Sequence, residues 1–558
     1  KPFEIRNEIK KGIKNKKIYE IPDRKKAIQE AVKNLKTGDI LLVAGKGHEK
    51  IQDYGKKRTF FSDQKVILSS IRAKNKFLSK NIKLNIIQEQ SKLNLSNKIQ
   101  IKDASINSKL IKKNDIFFAI KGKNLDGNNY ISEAIKKKSS FVVVNRFNKN
   151  YPLFKQIKVK NTLRFLTTCS SILRENINAK IISITGSCGK TTLKEMIGLV
   201  LKKISRTSFS PKSFNNKYGV PLSLFNMKQS DHFGVFEIGM DKKGEIDNLS
   251  KIIKPDLGLI TNISYAHSKN FKNIKQIADA KAEIMNNIKK NGIIVLNGDD
   301  HFFHYLKGLA LKKKLKVISF AINNKSSEIK LLSVKKTKNK YELFLNINNN
   351  KFSFYTKNNN KNNLYNILAA IACITSFINI KTLKKDIFLN INIPKGRGNI
   401  FDVNFENKKI YFVDESYNSN PLSLKSSIEN FEKLVLKKSK KYMFLGDMLE
   451  LGKHSIKQHK LISKIINKTK INKVYVIGKH IKETYKGLDP NKKAKILSNK
   501  LDMLKIIQDD FKTGDYLMVK GSNSTGLNKF IIDLKQRRQN VIWIITQLCW
   551  DLFIFKCF

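Results

Sequence analysis

A short turn bounded by two glycines, in IISITGSCGKTTLKEMIGLVLKKI over residues 181–204, concentrates the residue types that hold phosphate. Gly186 and Gly189 keep backbone N–H groups clear of an obstructing Cβ, and Ser187 and Cys188 between them are small. Lys190 supplies a mobile positive charge and Thr191 a hydroxyl for Mg²⁺. Thr192 follows in the first turn of a helix whose N-terminus adds partial positive charge. Leu193, Met196, Ile197, Val200, Leu201 and Ile204 recur at helical spacing, which predicts one buried face. The first glycine lies three residues before the second, where the general phosphate loop has five. Taken alone, the motif leaves open a plain glycine turn beside a surface lysine.

Further along, polar groups close several apolar runs. Glu237 follows FGVF, His267 ends LGLITNISYAH, and Asn297, Asp299 and Asp300 follow GIIVL. In a doubly wound sheet the carboxyl ends of strands line the ligand crevice, so these groups are expected to face the phosphate loop. Glu237 is then placed to hold Mg²⁺ on a nucleoside triphosphate, with His267 as a second ligand. Singly, a glutamate after a strand is an ordinary cap and a lone histidine an ordinary structural residue. The joint pattern behind the loop carries the reading.

The elements that must position these groups alternate between strand and helix from Ala179 to about Ile380, as in a parallel sheet covered on both faces. A chain of 558 residues exceeds one core and suggests three or four domains. Residues 99–178 carry the short strands DIFFAIKG and FVVVN around a helix, ISEAIKKK. A third α/β unit from about residue 391 contains IYFVDES, YMFLGDM, KVYVIGK and DYLMVKG. An internal echo frames the plan: TGDILLVAG at residues 37–45 and TGDYLMVKG at residues 513–521 align without a gap. Each reads as a turn, a buried strand and a glycine loop, two copies of one domain's C-terminal end. The Lys- and Asn-rich stretch 76–98 reads as a linker.

The formal charge is +64, with lysine spread along the whole chain and arginine scarce. Arginine is the better reader of bases and phosphates, so the composition reads as drift of an AT-rich genome rather than a nucleic-acid surface. No nucleic-acid partner is expected, although such a surface attracts anionic substrates. The five cysteines form no CxxC pair, which fits a reducing compartment and argues against zinc and a disulfide framework. The chain opens at Lys1 without a signal peptide, as in a fragment of a longer product. The apolar run 541–558 is short for a membrane span and is interrupted by Asp551 and Lys556. A tail in weak contact with a membrane, a packed strand and a read-through product all remain open for it.

The runs GSCGKTT, SFNNKYGVPLSL, FEIGMDKKGEI, TNISYAH, KAEI, GDMLELG and DESYNSNP, in this order apart from the last two being exchanged, resemble the Mur ligase family over about residues 99–540. The resemblance is strongest to the branch that joins D-alanyl-D-alanine to UDP-N-acetylmuramoyl-tripeptide. It implies a three-domain α/β architecture with a central P-loop parallel sheet and a Rossmann-like C-terminal domain. Residues 99–178 are expected to bind the UDP-muramyl peptide, 179–390 ATP, and 391–540 the incoming dipeptide. The implied reaction is an ATP- and Mg²⁺-dependent amide ligation through an acyl phosphate, in the cytoplasm, by a monomer. The loop Gly186 to Thr192, with Asn297, Asn363, Asn366, Arg397 and Asp414, is expected around ATP, the last two reaching it when domains close. Thr191, Glu237, His267 and Lys281, the last as a carbamate, are expected around Mg²⁺, with Lys190, Lys281 and His267 the catalytic set. Asn107, Ser108, Lys109, Asn215, Asn216, Tyr417 and Asn418 are expected at the substrates.

The opening segment, 1–75, is similar to the C-terminal end of a sister branch, MurE, which adds the third peptide residue. IPDRKKAIQEAV and LLVAGKGHEKIQ carry that likeness, with Gly45 and Glu49 at positions implied to contact diaminopimelate. A fusion of the two ligases whose front is absent here accounts for both likenesses. Asn107-Ser108-Lys109 stands where the family has Asp-Ser-Arg, so the arginine fork for the uridine nucleotide is lost. Cys188 beside Lys190 is a candidate reactive thiol. A folate-type ligase and a basic nucleic-acid-binding NTPase stand as the competing readings.

Overall fold

Three sheets of this chain stand in sequence behind a helical opening segment. The computed structural model describes residues 2–12, 19–35, 39–46, 49, 51–53, 58–96, 98–122, 124–391, 394–405, 408–434 and 439–537. The apolar tail expected at 541–558 lies outside the described residues, as do Thr37 and Gly38 of the first echo copy.

The opening segment contains α1 (Pro2–Gly12), α2 (Arg24–Asn34), a hairpin of β1 (Ile51–Asp53) and β2 (Arg58–Phe60), and α3 (Asp63–Ser91). Ile28, Val32 and Val66 form its small core, with Leu41 and Val43 against them. Arg24 grips Asp63 with two hydrogen bonds, Nε to Oδ1 at 2.8 Å and Nη2 to Oδ2 at 2.6 Å. The first echo copy departs from the buried strand expected of it. Residues 39–44 join no sheet, and Ile40 and Leu42 are 95% and 86% exposed. Alternation buries one face of this extended run, and no described element covers the other.

Residues 76–98, expected as a linker, are helical to Ser91. Leu84, Ile86 and Ile87 enter the same apolar core as Ile116, Phe118, Phe165 and Leu166. The polar composition hid them, but burial of an amphipathic stretch outweighs weak intrinsic propensity.

The next unit holds β3 (Ala104–Ser105), β4 (Ile116–Phe118), α4 (Ile131–Lys136), β5 (Phe141–Val144), β6 (Gln156–Lys158) and α5 (Thr162–Glu175). Its four strands are parallel in the order β3-β4-β5-β6.

The central unit begins with β7 (Lys180–Thr185), α6 (Lys190–Ile204), β8 (Thr207–Phe209), α7 (Gly219–Phe225), β9 (Phe233–Glu237), α8 (Glu245–Ile253) and β10 (Leu257–Ile260). It continues with α9 (Ile274–Ala282), β11 (Ile293–Asn297), α10 (Phe303–Lys312), β12 (Lys316–Ala321), β13 (Ile329–Thr337), β14 (Lys340–Ile347), β15 (Asn350–Thr356) and α11 (Lys361–Thr375). The sheet order is β15-β14-β13-β12-β11-β10-β7-β9-β8. Pairing is parallel from β8 to β13, whereas β13, β14 and β15 form an antiparallel arm, so the sheet is mixed rather than wholly parallel. Ile181 faces one core while Ile182 and Ile184 face the other, the signature of a strand covered on both sides. Helix α6 buries Leu193, Met196, Ile197, Val200 and Leu201 as its spacing predicts, and Ile204 at its end is 41% exposed.

The last unit contains β16 (Asn399–Phe405), β17 (Lys408–Asp414), α12 (Pro421–Glu432), β18 (Lys441–Gly446), α13 (Ser455–Asn467) and β19 (Lys473–Ile477). It closes with α14 (Lys482–Lys486), β20 (Lys493–Ile496), α15 (Lys500–Asp510), β21 (Tyr516–Lys520) and α16 (Leu527–Arg537). Its order, β16-β17-β21-β18-β19-β20, is parallel except for β16 at the edge. The second echo copy is therefore the central strand β21, packed on both faces.

Candidate active site

Strand β7 ends in the phosphate loop, and its two glycines are required by geometry. Gly186 sits at φ +140°, and a Cβ there would lie 1.9 Å from Thr261 Oγ1. Gly189 caps α6 at φ +83°. The loop is braced by the segment after β10. Ser187 N–H donates to Asn262 O at 2.9 Å, Cys188 N–H to Asn262 Oδ1 at 2.9 Å, and Thr261 Oγ1 to Cys188 O at 2.6 Å. Two loop N–H groups expected to point at phosphate are thus held by Asn262. The free donors come instead from the first turn of α6, whose N–H groups have no partner within the helix.

Lys190 Nζ donates to Gly186 O at 2.8 Å, and Lys281 Nζ donates to the same carbonyl at 3.0 Å. Lys281 is 1% exposed, and burial, followed by the charge of Lys190, holds its amine well below the ordinary lysine range. The Cys188 thiol is pushed up by burial, which outweighs Asn420 and the nearby lysines, so it stays protonated rather than reactive.

Glu237, at the end of β9, is 1% exposed. Its Oε2 accepts from Thr191 Oγ1 at 2.7 Å and its Oε1 from Asn215 Nδ2 at 2.8 Å. This hydroxyl and carboxylate are hard oxygen donors beside a cradle that a Cβ would fill, a set that suits Mg²⁺ on a phosphate. His267 lines the same cavity, with Nδ1 2.6 Å from Glu450 Oε2 and 3.2 Å from Asp241 Oδ1. Burial lowers its pKa, but those two carboxylates more than offset it and the net direction is upward. Among the described residues, Asp241, His267 and Glu450 are the group of His, Cys, Asp and Glu side chains close enough to share a metal ion. The four expected ligands therefore divide: Thr191 with Glu237, Lys281 on the loop carbonyl, and His267 with a carboxylate pair not foreseen.

The cavity, about 550 Å³, lies between the central and last units. Ser187 to Thr192, Asn215, Glu237 and His267 line one side. Asn297, Asn363 and Asn366 line a second, and Arg397, Tyr417 and Asn418 a third. The Arg397 guanidinium lies 4.4 Å from the centre of the Tyr417 ring. Contacts across the two units are direct: Ser213 Oγ to Tyr417 OH at 2.7 Å, and Cys188 Sγ to Asn420 Oδ1 at 3.0 Å. A second clasp joins Lys269 N–H to Glu450 O at 2.9 Å and sets the rings of Tyr265 and His454 4.9 Å apart at a tilt of 47°.

Other expected residues do not line this cavity. Asp414 is 2% exposed and turned into its own unit, paired with Lys535 at 2.5 Å and accepting from Ser416 Oγ at 2.7 Å. Alternation along the chain hands the cavity to Glu415 instead. Asn216 Oδ1 accepts from Tyr218 N–H and Gly219 N–H, capping the turn before α7 rather than lining the cavity. Asn107, Ser108 and Lys109 lie in the unit of β3 to β6, away from the cavity lining. Ser108 Oγ is held by Glu133 Oε2 at 2.6 Å, and Asn107 Oδ1 accepts from Lys109 N–H. In the opening segment, Gly45 has φ +100° and Glu49 lies 3.6 Å from Lys46. Sequence reasoning missed Thr261, Asn262, Ser213, Glu415, Asn420, Glu450 and Lys520. All lie inside or next to runs already recognised, but their roles depend on contacts between residues far apart in the chain.

Comparison with known proteins decides the family. A Mur ligase middle domain matches residues 184–374, and a Mur ligase glutamate ligase domain matches residues 397–523. A UDP-N-acetylmuramoyl-tripeptide--D-alanyl-D-alanine ligase of Rickettsia prowazekii is 32% identical over 446 residues, 79% of this chain and 96% of the relative. The chain belongs to the Mur ligase family. A ligase of the same name from Buchnera aphidicola is 33% identical over 452 residues, 78% of this chain and 93% of its own length. Among solved Mur ligases, MurF of Acinetobacter baumannii superposes with a TM-score of 0.69 at 23% identity, over 81% of this chain and 98% of that one. MurF of Thermotoga maritima in complex with ADP gives 0.66 at 22%, over 80% and 100%. These two likenesses establish the Mur ligase fold here. No helix among the described residues is long and apolar enough to cross a membrane.

Proposed function

We propose that this Mur ligase joins D-alanyl-D-alanine to UDP-N-acetylmuramoyl-tripeptide, using ATP, in peptidoglycan precursor synthesis. The observation that carries the reading is the cavity itself, with a phosphate loop on one wall and Arg397, Tyr417 and Asn418 of another unit on the other. The relatives at 32% and 33% identity, which bear this activity in their names, support the substrate pair.

A carboxylate is a poor electrophile, so amide formation needs activation. The tripeptide carboxylate attacks the γ-phosphorus of ATP, the β,γ-bridging P–O bond breaks, and ADP leaves an acyl phosphate. The dipeptide amine then attacks the acyl carbon, the C–O bond to phosphate breaks, and the proton lost by the amine leaves with the phosphate. The chain's contribution is alignment and charge neutralisation: Lys190 and the first turn of α6 hold phosphate oxygens, and Arg397 adds charge from the last unit. Thr191 and Glu237 would hold Mg²⁺, which supplies further neutralisation of phosphate charge. The contacts Ser213 to Tyr417 and Cys188 to Asn420 keep the two walls together and exclude water from the acyl phosphate.

Lys281 fits carbamylation, since burial favours the neutral amine that adds CO₂. Residues 99–178 serve the UDP-muramyl peptide, 179–390 ATP and 391–540 the dipeptide, in a cytoplasmic monomer. The opening segment, 1–75, is a MurE-like remnant on the strength of its motifs and of the echo between residues 37–45 and 513–521. Its Gly45 and Glu49 point to diaminopimelate as the third peptide residue.

The test is phosphate release from ATP by the purified chain with the UDP-tripeptide, with and without D-alanyl-D-alanine, beside Lys190→Ala. Release that requires both substrates and is lost in the variant is the expected result. Release indifferent to either substrate refutes the assignment.

A further inference from the structure

Lys520 is the last residue of β21 and is 2% exposed. The parallel register that pairs Asp414 with Val519 sets the next residues, Glu415 and Lys520, side by side at the carboxyl ends of β17 and β21. Lys520 Nζ lies 3.5 Å from Glu415 Oε2 and donates to Asn418 O at 3.1 Å. Both side chains line the cavity opposite the phosphate loop. Cys188 of the phosphate loop lines the same cavity. An ammonium has three donors, and here one meets a carbonyl while the carboxylate stands at ion-pair distance. Lys520 therefore brings a positive charge to the cavity wall with donor capacity beyond these two contacts.

The internal echo isolates the position further. Between TGDILLVAG and TGDYLMVKG the turn, the aspartate and the glycine are retained and the intervening strand positions stay apolar. The one change of charge sets Lys520 against Ala44. Burying an ammonium at the end of a central strand carries a desolvation cost, and Glu415 and Asn418 O offset part of it here.

We propose that Lys520 binds the carboxylate of the incoming dipeptide, with Glu415 and Asn418 O fixing the ammonium in place. The inference rests on the ligase reading and adds to it how the last unit recognises its substrate. A carboxylate anchored on Lys520 leaves the dipeptide's other end, the amine, free to approach the acyl carbon. Phosphate oxygens are the other anion within the cavity, and the experiment separates the two.

Steady-state phosphate release by the full chain is measured for the wild type and for Lys520→Met, which keeps an apolar stem of similar length and removes the charge. D-alanyl-D-alanine and its C-terminal amide are each varied. Loss of one charge-assisted hydrogen bond predicts a rise of roughly 10- to 100-fold in KM for the dipeptide in Lys520→Met. KM for ATP and for the UDP-tripeptide stays within about twofold. The wild type acting on the amide shows a comparable rise, the variant acting on the amide loses little more, and Lys520→Arg recovers part of the loss. A rise confined to KM for ATP assigns the lysine to phosphate and overturns the inference. Equal use of acid and amide by the wild type overturns it as well, whatever the folding of the variant. A wild type that releases no phosphate with both substrates fails the ligase reading and takes this inference with it, whereas an active wild type indifferent to the carboxylate fails this inference alone.

Discussion

Replacing Gly186 by alanine sets a methyl group 1.9 Å from Thr261 Oγ1 and 2.9 Å from Thr261 N, at a backbone φ of +140°. A non-glycine residue held in such a region costs about 1–3 kcal/mol. Relief of the contact requires the Thr261 hydroxyl to abandon Cys188 O, to which it donates at 2.6 Å, at a further cost of about 1 kcal/mol. The sum, about 2–4 kcal/mol, lowers the melting of the central unit by roughly 5–15 °C, at about 2–4 °C per kcal/mol for a unit of this size. Calorimetry of Gly186→Ala, Thr261→Ala and the double variant measures the two contributions separately. Thr261→Ala removes the nearest atom but leaves the backbone strain, so the double variant should regain only part of the loss. ATP binding should weaken in parallel, because the displaced loop carries Lys190 and the start of α6. A Gly186→Ala protein that melts within about 2 °C of the wild type, or a double variant with no recovery, refutes the argument.

Three further outcomes are expected. If Lys281 works as a carbamate, turnover falls in CO₂-stripped buffer and returns with bicarbonate, while Lys281→Arg is slow and indifferent to bicarbonate. Tyr417→Phe keeps the ring beside Arg397 but loses the hydrogen bond to Ser213, so kcat should drop about five- to tenfold with melting unchanged; an unchanged kcat removes that contact from the mechanism. The Arg24 hydrogen bonds hold the Asp63 carboxyl below its ordinary value of 3.8. A depressed folded pKa gives stability that is present above the unfolded value and lost as pH falls through the folded one, so protection of α2 and α3 from hydrogen exchange should decline below about pH 4. Asp63→Asn should show about tenfold faster exchange there at pH 7, and equal exchange rates contradict the role given to the pair.

The phosphate loop was legible because its function depends on residues adjacent in sequence, in a strand–turn–helix context that periodicity reveals. Glu237 was legible for a related reason, since strand ends in a doubly wound sheet converge on one edge. Asp414 failed because a run such as DES fixes neither which residue is the last in the strand nor which way it turns. One residue of register sends a carboxylate to Lys535 or into the cavity. The contacts of Glu450 with His267 and of Tyr417 with Ser213 join units far apart in the chain, and no local pattern encodes them. The misjudged stretch 76–98 had its apolar residues at helical spacing, but Lys and Asn between them gave the composition of a loop. The strand expected at residues 39–44 has the apolar pattern and, among the described residues, lacks the neighbouring strands that β21 has on both sides. Sequence pattern supplies the propensity, while sheet partners decide the outcome.

Helix α3 gives the opening segment a stiff attachment. Its 29 residues span about 43 Å at 1.5 Å per residue, from the Arg24–Asp63 grip to the apolar core around Leu84 and Ile87. A flexible tether would let two attached units explore many separations and would raise the effective concentration of one at the other. A rod fixes their distance and orientation instead. Lengthening the helix by one turn would rotate and displace the segment as a rigid piece without changing how often the two ends meet.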